Sequence, residues 1–335
     1  MSELARANWT DRTGLEAARR TPTLLGAALW SLIAIYAAAR FLRIFPGNVP
    51  MVAVIALHVL PPLLFALLHG ARIYRLRGAL AFIAFFLVIG NILENVSVVT
   101  GLPFGHYYFT ELMGPKIFQV PIFLGLAYVG MAYLSWVLAC VILVSMQSRL
   151  SGYRVVLVPA LASLIMTSWD LSQDAVWSTY LHLWIWPRGG AYFGVPISNF
   201  LGWYLTVYLI YQSFALYLRG RAMPSPPAAV TYWRSPAVLY AISAAGNLLP
   251  LIRVDNSVIA DPTGTLWKVR DIIGASALVS VFVMGAFVLW AWYAMTRGKV
   301  EVRRLAPRES VQTFFAALKG RSSTKTLGFG KGRSM

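Results

Sequence analysis

The chain has 335 residues, 58% of them hydrophobic, and its 29 Lys and Arg against 12 Asp and Glu give a net charge of +17. This apolar content, with a mean hydropathy of +0.65, excludes an ordinary soluble domain and indicates a polytopic membrane protein. The single cysteine, Cys140, excludes a disulfide framework within the chain and a thiolate metal site.

Eight apolar runs of about 20 residues, the length that a helix needs to cross a bilayer, follow one another along the chain. They lie at 24–44, 50–70, 78–98, 117–146, 155–176, 194–218, 236–252 and 272–296. The seventh is the weakest, because its Ser243, Asn247 and Pro250 are typical of a broken or re-entrant helix. The predicted fold is therefore all-α, a helical membrane bundle of about eight transmembrane helices.

The composition divides the chain into three regions. We expect a polar cytoplasmic tail at 1–22, a transmembrane helical domain that holds the candidate catalytic site at 23–297, and a basic cytoplasmic tail at 298–335. The second tail is weakly periodic and is predicted to be mostly disordered; its charge suits anionic lipid headgroups or serves only as a topology signal. Residues 220–235, which contain three prolines, are predicted to form a linker.

Membrane topology explains the basic residues better than nucleic-acid binding does, since Lys and Arg concentrate in cytoplasmic loops. With eight spans, 22 of the 29 Lys and Arg fall in the two tails and the even-numbered loops. We therefore expect a multi-pass protein of the cell (inner) membrane with both termini in the cytoplasm. Its expected surroundings are the lipid bilayer, with no nucleic-acid partner.

Three carboxylates stand where an apolar span should tolerate none: Glu94, Asp170 and Asp174. A charged side chain at the bilayer centre costs about 2.5 to 3.5 kcal/mol on insertion scales, so an acid kept there is by default a candidate for function. Low dielectric favours the neutral carboxylic acid, which can donate a proton. These three are the candidate catalytic residues. The alternative for Glu94 is a buried structural hydrogen bond, and for Asp170 and Asp174 it is a helix end near water.

Asp170 and Asp174 are four residues apart and Trp177 follows three later, so the three side chains project from one helical face. Two carboxylates so placed repel each other as anions, which favours one neutral acid beside one ionised group. That combination is what acid catalysis requires.

The predicted topology puts the candidate acids and the loops that follow them on one side of the membrane. Spans three and five both run outward, so the candidate acids lie toward their outer ends and the loops at 99–116 and 177–193 face the same compartment. Asn91 and Asn95 lie on helical turns adjoining Glu94 and are predicted to offer it amide partners.

The two loops combine glycines with aromatic side chains, notably over 101–108 and 184–196. Aromatic faces could stabilise a carbocation by about 2 kcal/mol or more when desolvated, although Trp and Tyr also form interfacial belts. Asn199, polar at the start of an apolar helix, could position water or orient an acid. The candidate substrate-binding residues are Asn91, Asn95, His106, Tyr107, Tyr108, Trp177, Trp184, Trp186, Tyr192, Phe193, Asn199 and Trp203.

Neither His106 nor His182 belongs to a closely spaced histidine pair, and no nucleotide or redox motif is found. No metal and no cofactor are therefore expected. A weak internal repeat is predicted when Val120-Pro121 is laid on Val195-Pro196, since Glu94 then precedes its proline by 27 residues and Asp170 precedes its own by 26. Such repeats place a membrane site at their interface.

Taken in order, these motifs form a pattern more specific than any one of them. It runs Glu94-Asn-Val, Thr100-Gly-x-x-Phe-Gly, Gly114-Pro, Val-Pro121, Asp170, Trp184-x-Trp and Gly-x-Tyr-Phe-Gly-Val-Pro-x-x-Asn-Phe-x-Gly-Trp203. Over about residues 85–215 the chain resembles the integral-membrane carotenoid-biosynthesis family of CruF-like carotenoid 1,2-hydratases, which includes bisanhydrobacterioruberin hydratase. It departs from the family pattern at Tyr107-Tyr108-Phe109, in place of Tyr-x-Tyr, and at Ala175, in place of proline.

The resemblance implies a cofactor-independent hydro-lyase that adds water across the terminal C1–C2 double bond of an acyclic carotenoid end group, of the lycopene, gamma-carotene or bisanhydrobacterioruberin type. Protonation by Asp170 or Glu94 would give a tertiary carbocation, and Asp174 would orient the water that captures it. The expected partners are the carotenoid and water and, beyond these, other carotenoid-biosynthesis enzymes.

Three other functions fit some of the same residues. A carotenoid cyclase also begins by protonating an alkene but excludes water. The spacing Asp170-x-x-x-Asp174 suits a Mg²⁺-dependent membrane prenyltransferase, although that chemistry wants a second Asp-rich motif. Intramembrane acids also suit a proton-coupled transporter or a lipid carrier.

Overall fold

The computed structural model describes residues 24–42, 51–144, 150–219, 221 and 230–297. The predicted tails at 1–22 and 298–335, and part of the predicted linker, lie outside the described residues. Within that part of the chain there are seven α-helices: α1 Leu24–Leu42, α2 Met51–Thr100, α3 Ile122–Leu143, α4 Arg154–Ala175, α5 Ile197–Arg219, α6 Val230–Gly246 and α7 Val269–Val279. The all-α prediction is confirmed.

Helix α2 consists of two helices joined at one residue. The backbone of Arg75 is not helical (φ 59°, ψ 165°), so 51–74 and 76–100 are separate segments in the places of the second and third predicted spans. The loop predicted between them is reduced to this single residue. Counted this way, the described residues contain eight helical segments, one for each predicted span.

Six of the described helices are long and apolar enough to cross a membrane, with 53–100 taken as one and α7 continuing through a π-helical turn to Arg297. The weak seventh span is among them, over Val230–Ile252, because a 3₁₀ turn at Leu249–Ile252 follows the end of α6. Helix α5 is not among the six, although it stands where the sixth span was predicted. The chain is a polytopic membrane protein.

The core of the bundle is centred on α3, which is buried along most of its length and packs against α2, α4 and α6. Tyr133 and Trp136 on this helix are among the largest fully buried side chains. Gly130 allows α2 to approach closely, because a Cβ atom there would lie 2.5 Å from the Cβ of Pro62. Helix α3 therefore fixes the two helices that carry the candidate acids.

Both aromatic loops meet at one end of the bundle, called the loop end below. The six strands of the described residues are short: β1 Tyr108–Phe109, β2 Lys116–Ile117, β3 Val120–Pro121, β4 Trp184–Ile185, β5 Val258–Ala260 and β6 Leu266–Lys268. Strand β1 pairs with β4, β2 with β3 and β5 with β6, each pair antiparallel. The β1–β4 pairing joins the two aromatic loops directly, which confirms that they converge.

Some predicted boundaries were wrong. Residues 117–121, assigned to the fourth span, belong to the β2–β3 hairpin, and α3 begins only after Pro121, whose backbone is extended. A residue before proline is pushed out of the helical region, so the helix could not begin earlier. Helix α6 begins at Val230, inside the predicted linker, because Tyr232 packs onto His69 with ring centroids 4.0 Å apart.

A buried polar network ties four helices together around Asn247, just after α6. The Asn247 side-chain oxygen accepts hydrogen bonds from Gln173 Nε2, at 2.6 Å, and from Arg40 Nη2. The Asn247 nitrogen donates to Ser172 Oγ at 3.2 Å and to Ser280 Oγ at 2.8 Å. All four hydrogen-bonding positions of the amide are used. Two of these partners lie on α4, next to the candidate acids.

Candidate active site

The three candidate acids are buried together at the loop end. Glu94 lies near the end of α2, while Asp170 and Asp174 lie one turn apart near the end of α4, and their exposed fractions are 4%, 4% and 2%. Each lies within electrostatic range of the other two. The structure therefore brings together three acids that are spread over 80 positions of the chain, from Glu94 to Asp174.

Asp174 has an N–H donor on each carboxylate oxygen. The indole Nε1 of Trp184, on β4, donates to Oδ1 at 3.0 Å, and Nδ2 of Asn199, in the first turn of α5, donates to Oδ2. The indole N–H of Trp186 also faces Asp174, without the geometry of a formed hydrogen bond. An ionised carboxylate accepts hydrogen bonds on both oxygens, so Asp174 is arranged as a proton acceptor.

Glu94 is held by the loop that follows its helix. The hydroxyl of Tyr107 donates to Glu94 Oε2. The loop is fixed to α2 by Ser97, whose hydroxyl donates to Gly105 O at 3.2 Å and accepts from Phe104 N at 3.2 Å. Tyr107 is therefore positioned by the same helix that carries the acid.

Asp170 differs from both of these acids. Its Oδ2 atom is buried and makes no hydrogen bond to any residue that the structure describes. The Asn199 side chain interacts with Asp170 as well as with Asp174, so it lies between the two carboxyl groups. Because no described group accepts a proton from Oδ2, a proton on this oxygen is available to a molecule bound beside it.

Aromatic side chains form a closed circuit of neighbouring rings around the acids. The circuit runs Tyr128, Trp203, Phe104, Tyr107, Phe109, Trp184, Trp177, Trp169 and back to Tyr128, with ring centroids 4.6 to 6.4 Å apart. Two of its members bond to acids, Tyr107 to Glu94 and Trp184 to Asp174. Tyr128 lies within electrostatic range of all three acids. The circuit, called the aromatic enclosure below, surrounds the site with π-faces.

Tyr128 and Trp169 were missed as site residues by the sequence reasoning. Tyr128 is one of two tyrosines in the largely apolar α3, and its ring lies 4.6 Å from that of Trp203 and 5.7 Å from that of Trp169 between centroids. Trp169 does carry a signal, because it immediately precedes Asp170 and lies eight positions, about two turns, before Trp177. Nothing local marks Tyr128, since its neighbours come from other helices.

The amide partners predicted for Glu94 were wrong. Asn95 Nδ2 donates to Asn91 O at 2.8 Å and to Asn91 Oδ1 at 3.0 Å, and Asn95 Oδ1 accepts from Gln119 N at 2.9 Å. The two asparagines are four apart and face each other, whereas Glu94 points into the bundle. They therefore hold the β2–β3 hairpin onto α2.

Four other predicted substrate-binding residues lie at the edge of the site. His106 and Tyr108 are exposed in the loop after α2. Tyr192 OH donates to Leu171 O at 3.2 Å, and burial, followed by the negative charge of Asp174, raises the pKa of Tyr192 to about 12. Phe193 packs against Trp267, with ring centroids 5.4 Å apart. The structure places none of the four in the aromatic enclosure.

The arrangement can move a proton within an apolar space. It holds one carboxyl oxygen without a partner, one carboxylate with two N–H donors, and a surround of aromatic rings. In the described residues no group of three or more His, Cys, Asp or Glu side chains is arranged to hold a metal ion. Fold and site together define a helical membrane protein with three acids buried beside aromatic side chains at the loop end.

The sequence model of the carotenoid biosynthesis protein family matches residues 47–252 of the chain, from the linker before α2 to the turn after α6. The chain belongs to this family, and every acid and ring of the site lies within the matched region. Searches of curated proteins and of solved structures found no match. The protein therefore takes part in carotenoid biosynthesis in a membrane.

Proposed function

We propose that this protein is a carotenoid 1,2-hydratase, which adds water across the terminal C1–C2 double bond of an acyclic carotenoid end group. The observation that carries the proposal is the buried oxygen of Asp170 without a partner, one helical turn from the fully hydrogen-bonded Asp174. Membership of the carotenoid biosynthesis family supplies the class of substrate. The three acids thus act on an alkene rather than on an ion.

Asp170 is the proton donor in this mechanism. Protonating a trisubstituted terminal alkene at C2, the less substituted carbon, leaves the positive charge on the tertiary C1. The donor must be a neutral carboxylic acid whose proton points at the substrate, and Oδ2 of Asp170 is a buried carboxyl oxygen that makes no hydrogen bond to a described residue. Two carboxyl groups one turn apart in an apolar bundle cannot both be ionised cheaply, which keeps this one protonated.

The aromatic enclosure stabilises the carbocation. A cation over the face of a tryptophan or tyrosine gains about 2 kcal/mol or more when water is excluded. Tyr128 and Trp169 lie on the sides of the site formed by α3 and α4, and their rings contact each other at 5.7 Å between centroids. Each is suited to face the charge as it develops at C1.

Asp174 then accepts a proton from the water that attacks C1. The oxygen of water forms the new C–O bond, the C1 cation is neutralised, and the released proton passes to the Asp174 carboxylate. Transfer of a proton from Asp174 to Asp170 restores both groups, and Asn199 lies between them. The net reaction is addition of one water molecule and consumes no cofactor.

Glu94 and its partner Tyr107 complete the acidic site. A hydrogen bond from Tyr107 holds the carboxyl group in one orientation. Its negative charge or its dipole contributes to the field in which the cation forms. By the positive-inside rule, we place both chain termini in the cytoplasm and the loop end on the outer side of the cell membrane.

Expression in a bacterium that accumulates lycopene tests the proposal. The mass of the pigment is expected to rise by that of one or two water molecules, with a tertiary alcohol at C1. Unchanged lycopene and unchanged related acyclic carotenoids, with the protein present in the membrane, would refute the hydratase. A cyclic isomer of unchanged mass would instead identify a cyclase.

A further inference from the structure

A narrow cleft opens at the loop end beside the acids. Its lining includes Thr179, from the π-helical turn that follows α4, and His182 just after that turn. Asp261 and Pro262, from the turn between β5 and β6, and the indoles of Trp184 and Trp186 complete this part of the lining. Its free volume is about 10 Å³. That volume is close to the minimum needed for one water molecule.

The floor of the cleft is the layer of indoles that covers Asp174. Trp184 lines the cleft and also donates its Nε1 hydrogen to Asp174 Oδ1 at 3.0 Å. Trp186 lines it as well, and its N–H faces the same carboxylate. One layer of rings therefore separates the cleft from the group that would accept the proton of water.

The outer lip of the cleft is polar and built by the β5–β6 hairpin. Asp261 accepts hydrogen bonds from Thr263 N at 2.9 Å, Thr265 N at 3.1 Å and Trp267 Nε1 at 2.9 Å. Burial opposes ionisation of Asp261, but these donors outweigh it and hold its pKa below the ordinary value. Asp261 is therefore ionised at neutral pH and gives this side of the cleft a negative charge.

We infer that this cleft is the route by which water reaches the carbocation, with Trp184 and Trp186 as its inner wall. The inference rests on the proposed hydratase function. The carotenoid is apolar and approaches from the bilayer, whereas water needs a polar entrance of its own size. The cleft has a charged lip, room for about one water molecule, and an inner wall hydrogen-bonded to Asp174.

Thr179 offers a way to change the width of the cleft. Its side chain lines the cleft, and a Cβ atom built on Gly194, across the cleft, would lie 3.0 Å from Thr179 Oγ1. Thr179→Ala widens the passage and Thr179→Leu fills it. Thr206→Ala is the control, because Thr206 is also buried (0% exposed, against 6% for Thr179), lies on α5 and does not line the cleft.

The experiment gives the carotenoid a choice of nucleophile. Membranes containing each variant are incubated with an acyclic carotenoid in water with added methanol, and the ratio of C1 methyl ether to C1 alcohol is measured. Methanol attacks C1 through its oxygen and passes its hydroxyl proton to Asp174, so the two products differ only in the nucleophile. The ratio is independent of how much enzyme is folded.

We expect the ratio to rise in Thr179→Ala and to stay at the wild-type value in Thr206→Ala, while Thr179→Leu loses most of its product. Equal ratios in Thr179→Ala, Thr206→Ala and the unmodified protein would overturn the water route and leave the hydratase standing. If the unmodified protein forms no alcohol even without methanol, the hydratase itself is overturned and the route with it.

Discussion

Asn247 packs against α4 and Asp170 lies on it, and both are buried polar residues. They differ in how many of their hydrogen-bonding positions are used. The amide of Asn247 uses all four of its hydrogen-bonding positions, reaching Ser172 and Gln173 on α4 itself. Asp170, two residues before Ser172, has a buried oxygen with no partner in the described part of the chain. A saturated polar group joins helices, whereas an unsatisfied one calls for an explanation, and the proposed substrate supplies it for Asp170.

Helix α4 therefore carries two kinds of polar residue: Ser172 and Gln173, which hold the helices together, and Asp170, which is the proposed proton donor. Burying a polar group without a partner costs about 1 to 3 kcal/mol, so a site that keeps one gives up stability for reactivity. The same helix supplies both kinds of residue because successive side chains point in different directions around its axis. Each prediction below changes one side of this comparison and leaves the other intact.

The largest effect is expected for Asp170→Asn, which removes the proton donor and keeps the shape. Hydration should fall by about 10²- to 10⁴-fold, the usual contribution of a general acid. Product formation in membranes, corrected for the amount of folded protein, measures it. Asp255→Asn is the matched control, since Asp255 is an exposed acid at the same end of the bundle, and it should hydrate as the unmodified protein does.

Asn247→Ala should act on stability instead. The substitution removes four hydrogen bonds from the groups around the Asn247 amide. Because some of these groups can then bond to one another, the free energy of unfolding should fall by only about 2 kcal/mol. A lower midpoint of thermal unfolding in detergent is expected, with less loss of hydration per folded molecule than in Asp170→Asn. An unchanged midpoint would show that the network does not hold the helices together.

Trp184→Phe removes one hydrogen bond to Asp174 while keeping a ring beside Phe109 and Trp177. Loss of a hydrogen bond to a charged group is worth about 1.5 kcal/mol, so hydration should fall by roughly tenfold. Trp136→Phe is the control, because it removes an indole hydrogen bond outside the aromatic enclosure, from Trp136 Nε1 to Tyr74 OH at 2.9 Å. If the two variants lose equal activity, the Trp184 hydrogen bond has no special role.

The smallest effect is expected for Asn95→Ala. It frees the β2–β3 hairpin from α2 by removing the acceptor for Gln119 N, at a cost of about 0.5 to 1 kcal/mol for a partly exposed hydrogen bond. The rate of hydration should change by no more than about threefold. A loss as large as that of Asp170→Asn would mean that Asn95 contacts the substrate after all.

Much of the fold could be predicted because the bilayer imposes a length and a composition on each span. Each of the eight helical segments overlaps the span predicted for it, and the two helix–loop–helix units of the predicted repeat share one plan, although a duplication stays a prediction. The boundaries near Pro121 and Val230 failed because hydropathy does not register where a hairpin or a ring contact begins. The break at Arg75 lies within the loop predicted between the second and third spans, but composition did not show that a single residue would form it.

For the candidate site, the sequence indicated which acids are buried, but it was less informative about which residues contact them. Glu94, Asp170 and Asp174 stand out because burying them is costly, and Asn199 was marked as a group that could orient an acid. Asn247 was marked only as a helix break, because its four partners come from three other helices. Contacts between distant segments depend on packing, which a single sequence does not display.

The most direct test of the central claim follows the origin of the added atoms. The protein in membranes is given an acyclic carotenoid in water labelled with ¹⁸O and deuterium. The account predicts a C1 alcohol that carries one solvent oxygen on C1 and one solvent hydrogen on C2, and no such product from Asp170→Asn. An alcohol whose oxygen does not come from water, or labelled alcohol formed equally well by Asp170→Asn, would contradict it.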